Sequence, residues 1–146
     1  EVCRSKGHEM YNEMVAVKGN FDIIFAFDFL EHLYNPVEFW TFAEKHCAAE
    51  GSIIILTGAI ESFVAKILKQ KWWYVRLPEH ISFPSNKAIN MLKNFRASEI
   101  LSVRHNCEKI SLKKYIQILK RLIVGSYDGF PSRFADHKLC VLSNKK

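Results

Sequence analysis

No stretch of the 146-residue sequence reaches ~18 consecutive apolar residues, so a membrane-spanning helix is not expected. Residues 1–20 contain no apolar core of the kind that marks a secretory leader. The four cysteines, Cys3, Cys47, Cys107 and Cys140, form no Cys-x-x-Cys pair. They read as reduced thiols of a cytoplasmic protein, and no metal site is expected from them. No Lys/Arg run is longer than two, so the net charge of +6 is spread over an ordinary surface and nucleic acid is not the expected partner. Glycine is scarce too: of the six, no two lie within three residues of each other, which excludes a Gly-x-Gly phosphate or dinucleotide turn inside this chain. With 49% hydrophobic and 25% charged residues the composition is globular, and no repeat, linker or low-complexity tract divides it. A single domain over 1–146 is expected.

The hydrophobic pattern supplies the elements. Cys3 to Lys6 reads as the last turn of a helix stopped by Gly7, and residues 8–15 alternate enough to read as a strand. FDIIFAF (21–27) is a nearly continuous apolar run, the mark of a strand buried on both faces. Residues 35–51 read as a helix with Asn35 as N-cap, Pro36 at its first position and Gly51 ending it. SIIILTG (52–58) is a second buried strand, so 21–58 forms a strand–helix–strand crossover unit. Helical periodicity returns in 59–70. Ser85 caps a further helix carrying Ile89, Met91, Leu92 and Phe95. Residues 98–111 and 135–144 read as strands. Residues 112–125 form an amphipathic helix that covers a sheet, or presents Lys113, Lys114, Lys120 and Arg121 to lipid phosphates.

The first strand poses the functional question. It ends in three ionisable residues, Asp28, Glu31 and His32. In an open α/β sheet, ligands bind beyond the carboxyl ends of the strands. A helix cap or a satisfied surface turn is the structural alternative.

FDIIFAFDFLEHLYNP followed by a helix, then EGSIIILTG, then PEHISFPS and another helix, resembles the C-terminal half of class I S-adenosylmethionine-dependent methyltransferases, of the type called methyltransferase domain 23. The likeness covers about residues 8 to 110. It implies an α/β, Rossmann-like methyltransferase sheet that lacks its first two strands, with helices on both faces. It also implies that the first strand, the glycine-rich turn and the second strand lie upstream of Glu1. This chain would then bind the cofactor weakly or not at all, and would be inactive on its own. Because the family order places two strands between residues 8–15 and 21–27, strand 21–27 would show a bare edge. The chain would be part of a larger protein, pair with a second copy there, or move its first segment into the gap.

By the same resemblance, Ala26, Phe27 and Asp28 would flank the methionine part of S-adenosylmethionine, and Glu31 and His32 would border the acceptor pocket. Methyl transfer from a sulfonium needs alignment and often removal of an acceptor proton. A histidine titrating near neutrality suits that removal, so His32 or His80 is the expected base, oriented by Glu31 or Glu79. Trp72, Trp73 and Tyr74 form an aromatic wall over a small-molecule acceptor, or a cap closing the core edge. Members of this subgroup often act on sugars or lipid-linked precursors of bacterial surface polysaccharides, with phenolic or quinone acceptors next. A non-catalytic α/β interaction module without a cofactor turn is the competing reading. His8, His46, His105 and His137 show no metal-like spacing and are given no role.

Overall fold

The computed structural model describes residues 2–103 and 136–144. The chain enters through a short helix α1 (Val2–Ser5), closed by Gly7 at φ +83°. Residues 8–15 do not form the expected strand. They run irregularly into a 3-10 turn at Met14–Ala16, exposed for most of their length and outside the sheet. Alternation alone cannot make a strand without a ladder partner.

Strand β1 (Phe21–Phe27) lies parallel to β2 (Cys47–Gly58), with Ile24 opposite Ile53 and Phe27 opposite Leu56. Helix α2 (Pro36–His46) connects them, and the Asn35 Oδ1 cap accepts from Val37 N at 3.2 Å. The crossover unit therefore forms, but its helix stops five residues before Gly51. Residues 47–51 instead bend into β2, where Asn144 Nδ2 donates to the carbonyls of Cys47 and Ala48. A Cβ on Gly51 would sit 2.8 Å from Cys47 Sγ and 2.9 Å from Ala48 O, so glycine here answers a close approach rather than a helix end.

Beyond β2 come α3 (Phe63–Leu68), capped by Ser62, and α4 (Asn86–Asn90), capped as expected by Ser85 Oγ, which accepts from Ala88 N. Phe95, expected on the helix, begins strand β3 (Phe95–Val103) and is buried. Strand β4 (His137–Asn144) is antiparallel to both β2 and β3, giving the order β1-β2-β4-β3. The result is the α/β architecture expected, with a mixed sheet of four strands among the described residues. The remainder of the strand foreseen at 98–111 and the basic helix at 112–125 lie outside the described residues.

Ile53, Ile55, Cys140 and Leu142 are fully buried at the sheet centre, with Phe39 and Ala43 of α2 packed against them. The outer strand departs from expectation. Only Ile24 and Ala26 of β1 point into this core, whereas Ile23, Phe25 and Phe27 are exposed, Phe25 by 60%. An apolar run does not distinguish a two-faced strand from a one-faced one when both faces carry apolar residues. Among the described residues β1 pairs only with β2, and residues 8–16 do not fill its other edge. No helix among the described residues is long and apolar enough to cross a membrane. Among the described residues Cys3, Cys47 and Cys140 are free thiols.

A polar tie fastens the loops to β4. Lys138 Nζ, buried, donates to Pro84 O at 2.5 Å, Asn86 Oδ1 at 2.9 Å and Glu61 Oε2 at 3.3 Å. Glu61 Oε1 accepts from Asn86 N at 2.5 Å. Burial pushes the Lys138 ammonium below its ordinary range. Burial alone would raise the Glu61 carboxyl, but the Asn86 amide and the Lys138 charge outweigh it and hold that carboxyl below its ordinary value. A carboxyl depressed in the folded state stabilises the fold above its unfolded pKa, and that contribution fades as pH falls through the folded one. Urea midpoints of wild type and Glu61→Gln should therefore differ at pH 7 and converge well below pH ~4.3. A gap unchanged down to pH 2 would contradict the assignment.

Candidate functional site

The β1 ladder ends with Asp28 N donating to Leu56 O at 2.9 Å. The chain then turns sharply, and Asp28 takes φ +44°, a left-handed conformation that aspartate tolerates better than most residues. The next residues form a 3-10 turn, Leu30–His32, that buries Leu30 and Glu31 and leaves His32 exposed. Asp28 and His32 thus make an exposed rim, and Glu31 lies beneath it with 0% exposure.

The two segments singled out in the sequence meet here. The backbone carbonyl of Glu31 accepts from Ile81 N at 2.8 Å and Ser82 N at 3.1 Å, so the LEH turn and the EHISF segment are stitched together. The Glu31 carboxylate accepts from Thr57 Oγ1 at 3.0 Å and from the Tyr74 hydroxyl. The same hydroxyl lies 3.2 Å from Asp28 Oδ1, so one phenolic proton serves two carboxylates. Burial, then the hydrogen bond and charge of Glu31, then the charge of Asp28, push the Tyr74 phenol well above its ordinary range. Tyr74 therefore stays a proton donor at any physiological pH.

Both histidines of the pair are held by backbone carbonyls. His80 Nδ1 lies 2.6 Å from Tyr74 O and His32 Nδ1 lies 3.0 Å from Glu79 O. A carbonyl only accepts, so each Nδ1 carries its proton when the ring is neutral and each Nε2 keeps a lone pair. The rings meet edge to face at 4.7 Å, and the Tyr74 ring packs tilted against His80 at 4.5 Å. Glu79 reaches His32 through its backbone, not its carboxylate.

The other expected residues are placed unevenly. The Ala26 side chain lies in the hydrophobic core, and Phe27 is exposed on the opposite face of β1. Trp72 and Tyr74 are 2% exposed and pack with Val64 and Ala65, while Trp73 is half-buried. Of the two roles weighed for this trio, closing the core edge describes the Trp72 and Tyr74 rings. A second acid–imidazole pair adjoins them, and its members were given no role from sequence: His137 Nδ1 lies 2.9 Å from Asp136 Oδ1, and Trp73 Nε1 donates to Asp136 Oδ2 at 3.0 Å. His137 pairs with Gly58 across the β2–β4 ladder and meets the Tyr74 ring edge-on at 4.8 Å. The available signal was position: Thr57-Gly58 and Asp136-His137 lie where β2 ends and β4 begins, beside the β1 tip. A groove of about 600 Å³ lined by Met14, Val15, Val37 and Phe42 lies elsewhere and includes none of these residues.

A family model described as a methyltransferase domain matches residues 4–94, a span that contains β1, α2, β2 and the joined LEH and EHISF segments. No curated protein matches the chain. With more than half of its length matched and a mixed α/β sheet carrying polar groups at the tip of β1, the chain belongs to the methyltransferase domain family, whose members in general use S-adenosylmethionine as methyl donor.

Proposed function

We propose that this chain forms the acceptor side of an S-adenosylmethionine-dependent methyltransferase that methylates a hydroxyl oxygen of a small molecule, a sugar or polysaccharide precursor being the leading class. The observation that carries this reading is the buried Glu31–Tyr74 pair beneath two imidazoles whose Nδ1 atoms are tied to carbonyls.

The residues present fit one end of the cofactor. Asp28 and Glu31 place two carboxylates at the β1 tip, which suits a sulfonium and an ammonium group. The backbone of Ala26 and Phe27 leads into that tip. The nucleotide end would need a glycine-rich turn, which this chain does not contain. When bound, S-adenosylmethionine supplies an electrophilic methyl group on sulfur. The chain's own residues do the rest. His32, on the exposed rim, takes the acceptor proton on Nε2, while the Glu79 carbonyl fixes its tautomer. His80 packs behind it and sets the ring angle. Glu31 and Tyr74 hold the turn that presents both. Trp73, half-buried beside them, offers an aromatic edge for a sugar ring.

The scarcity of glycine favours a second reading, a non-catalytic module that keeps the sheet without binding cofactor. Transfer of labelled methyl from S-adenosylmethionine to a panel of sugars and phenols separates the two. His32→Ala should lower the rate by ~10²–10⁴ while leaving the unfolding midpoint nearly unchanged, because the side chain is exposed. Transfer that survives this change intact would remove His32 from the chemistry. No transfer to any hydroxyl acceptor by a form that also carries the glycine-rich turn would favour the module.

A further inference from the structure

Glu31, His32 and His80 each offer a ligand atom, and the three atoms lie within 4.8 Å of one another. From this we infer that the β1 tip is a binding site for a divalent transition-metal cation, held by two imidazole nitrogens and one carboxylate oxygen. An ion held by all three needs bonds of ~2.0–2.2 Å, so the donor atoms would draw closer together on binding.

The surroundings are those of a ligand set. Metal-bound imidazoles almost always donate their other N–H to a carbonyl or carboxylate. Here His80 and His32 both direct Nδ1 at backbone carbonyls, of Tyr74 and Glu79, which leaves Nε2 as the coordinating atom of each. Glu31 receives hydrogen bonds from Thr57 and Tyr74, one on each oxygen, and these fix the plane of its carboxylate while leaving lone pairs on both oxygens. Two ligands are buried and one is exposed, so the ion would have protein on one side and open coordination positions towards solvent. Two nitrogens and one oxygen favour zinc or a neighbouring first-row ion over magnesium or calcium, which prefer all-oxygen sets.

The proposal rests on the acceptor-side reading only for what the ion would do. A hydroxyl bound at an open position would lose its proton more easily, as metal-bound water does. The ion would then replace free His32 as the agent of deprotonation. Binding itself is independent of methyl transfer.

Cobalt(II) titrated into the metal-stripped chain, read by visible absorption and then displaced by zinc, tests the site without any cofactor. One equivalent should bind, with the spectrum of a mixed nitrogen–oxygen set. His32→Ala and Glu31→Gln should each weaken binding at least ~10–100-fold. Circular dichroism would verify that both variants fold. Cys3→Ser should change nothing, because that exposed thiol belongs to another part of the chain. Failure to bind one equivalent, or binding equally tight in His32→Ala and Glu31→Gln, would overturn the assignment.

Discussion

Gly58→Ala is expected to destabilise the protein by ~3 kcal/mol or more and to disassemble the site in the same step. Gly58 is buried at the end of β2, and a Cβ placed there would overlap the Tyr74 ring and touch the Trp72 ring at 3.0 Å. Neither ring can yield cheaply. Tyr74 is wedged between His80, His137 and Trp73, and its hydroxyl is committed to Glu31. Overpacking a well-filled interior typically costs ~1–3 kcal/mol. Moving Tyr74 adds the loss of its buried hydrogen bond, ~1–3 kcal/mol if the carboxylate is left without it. Urea denaturation would show the loss as a lower midpoint at an unchanged slope. A stability within ~0.5 kcal/mol of wild type would mean that the Tyr74 ring does not occupy the space beside Gly58.

Glu31→Ala should follow closely, at ~2–5 kcal/mol, with Glu31→Gln much milder at about 1 kcal/mol. The substitution removes the acceptor of two buried hydroxyls, Thr57 and Tyr74, each costing ~1–3 kcal/mol when unsatisfied. It also removes an expensive buried carboxylate, and that relief works in the opposite direction. The loss prevails because Thr57 loses its acceptor and Tyr74 is left with the 3.2 Å contact to Asp28 in place of its bond to Glu31. Gln preserves the side-chain length and can still bond both hydroxyls, since either can rotate to accept from the amide. The ordering Ala far below Gln, measured by chemical denaturation, separates this account from one in which Glu31 is merely a charge that the fold endures. Equal effects for the two variants would refute the hydrogen-bonding role.

Much of this geometry was open to reading in the residues. Asn35-Pro36 and the two apolar runs mark the β1–α2–β2 unit because capping and strand patterning are local effects. LEH and EHISF were linked by resemblance, and the physical link is the Glu31 carbonyl receiving two amides from 81 and 82. The misreadings share a cause as well. Gly51 looked like a helix stop, yet it is required by contacts with Cys47 and Ala48 that only the bent strand creates. Residues 8–15 alternate, but no strand among the described residues receives them. Phe25 and Phe27 are apolar and exposed, and composition does not say which face of a strand meets the core. Asp136 reaches Trp73 across 63 positions, a pairing that no short-range pattern encodes.

The most direct test of the central claim maps where the cofactor product sits. S-adenosylhomocysteine titrated to millimolar concentration into the isotope-labelled chain, followed by amide NMR shifts, detects weak as well as tight binding. The account predicts concerted shifts in residues 26–32 and at Thr57-Gly58, reduced in Asp28→Ala. Shifts gathered instead in the groove between Met14-Val15 and α2, or shifts at the β1 tip that persist unchanged in Asp28→Ala, would contradict it.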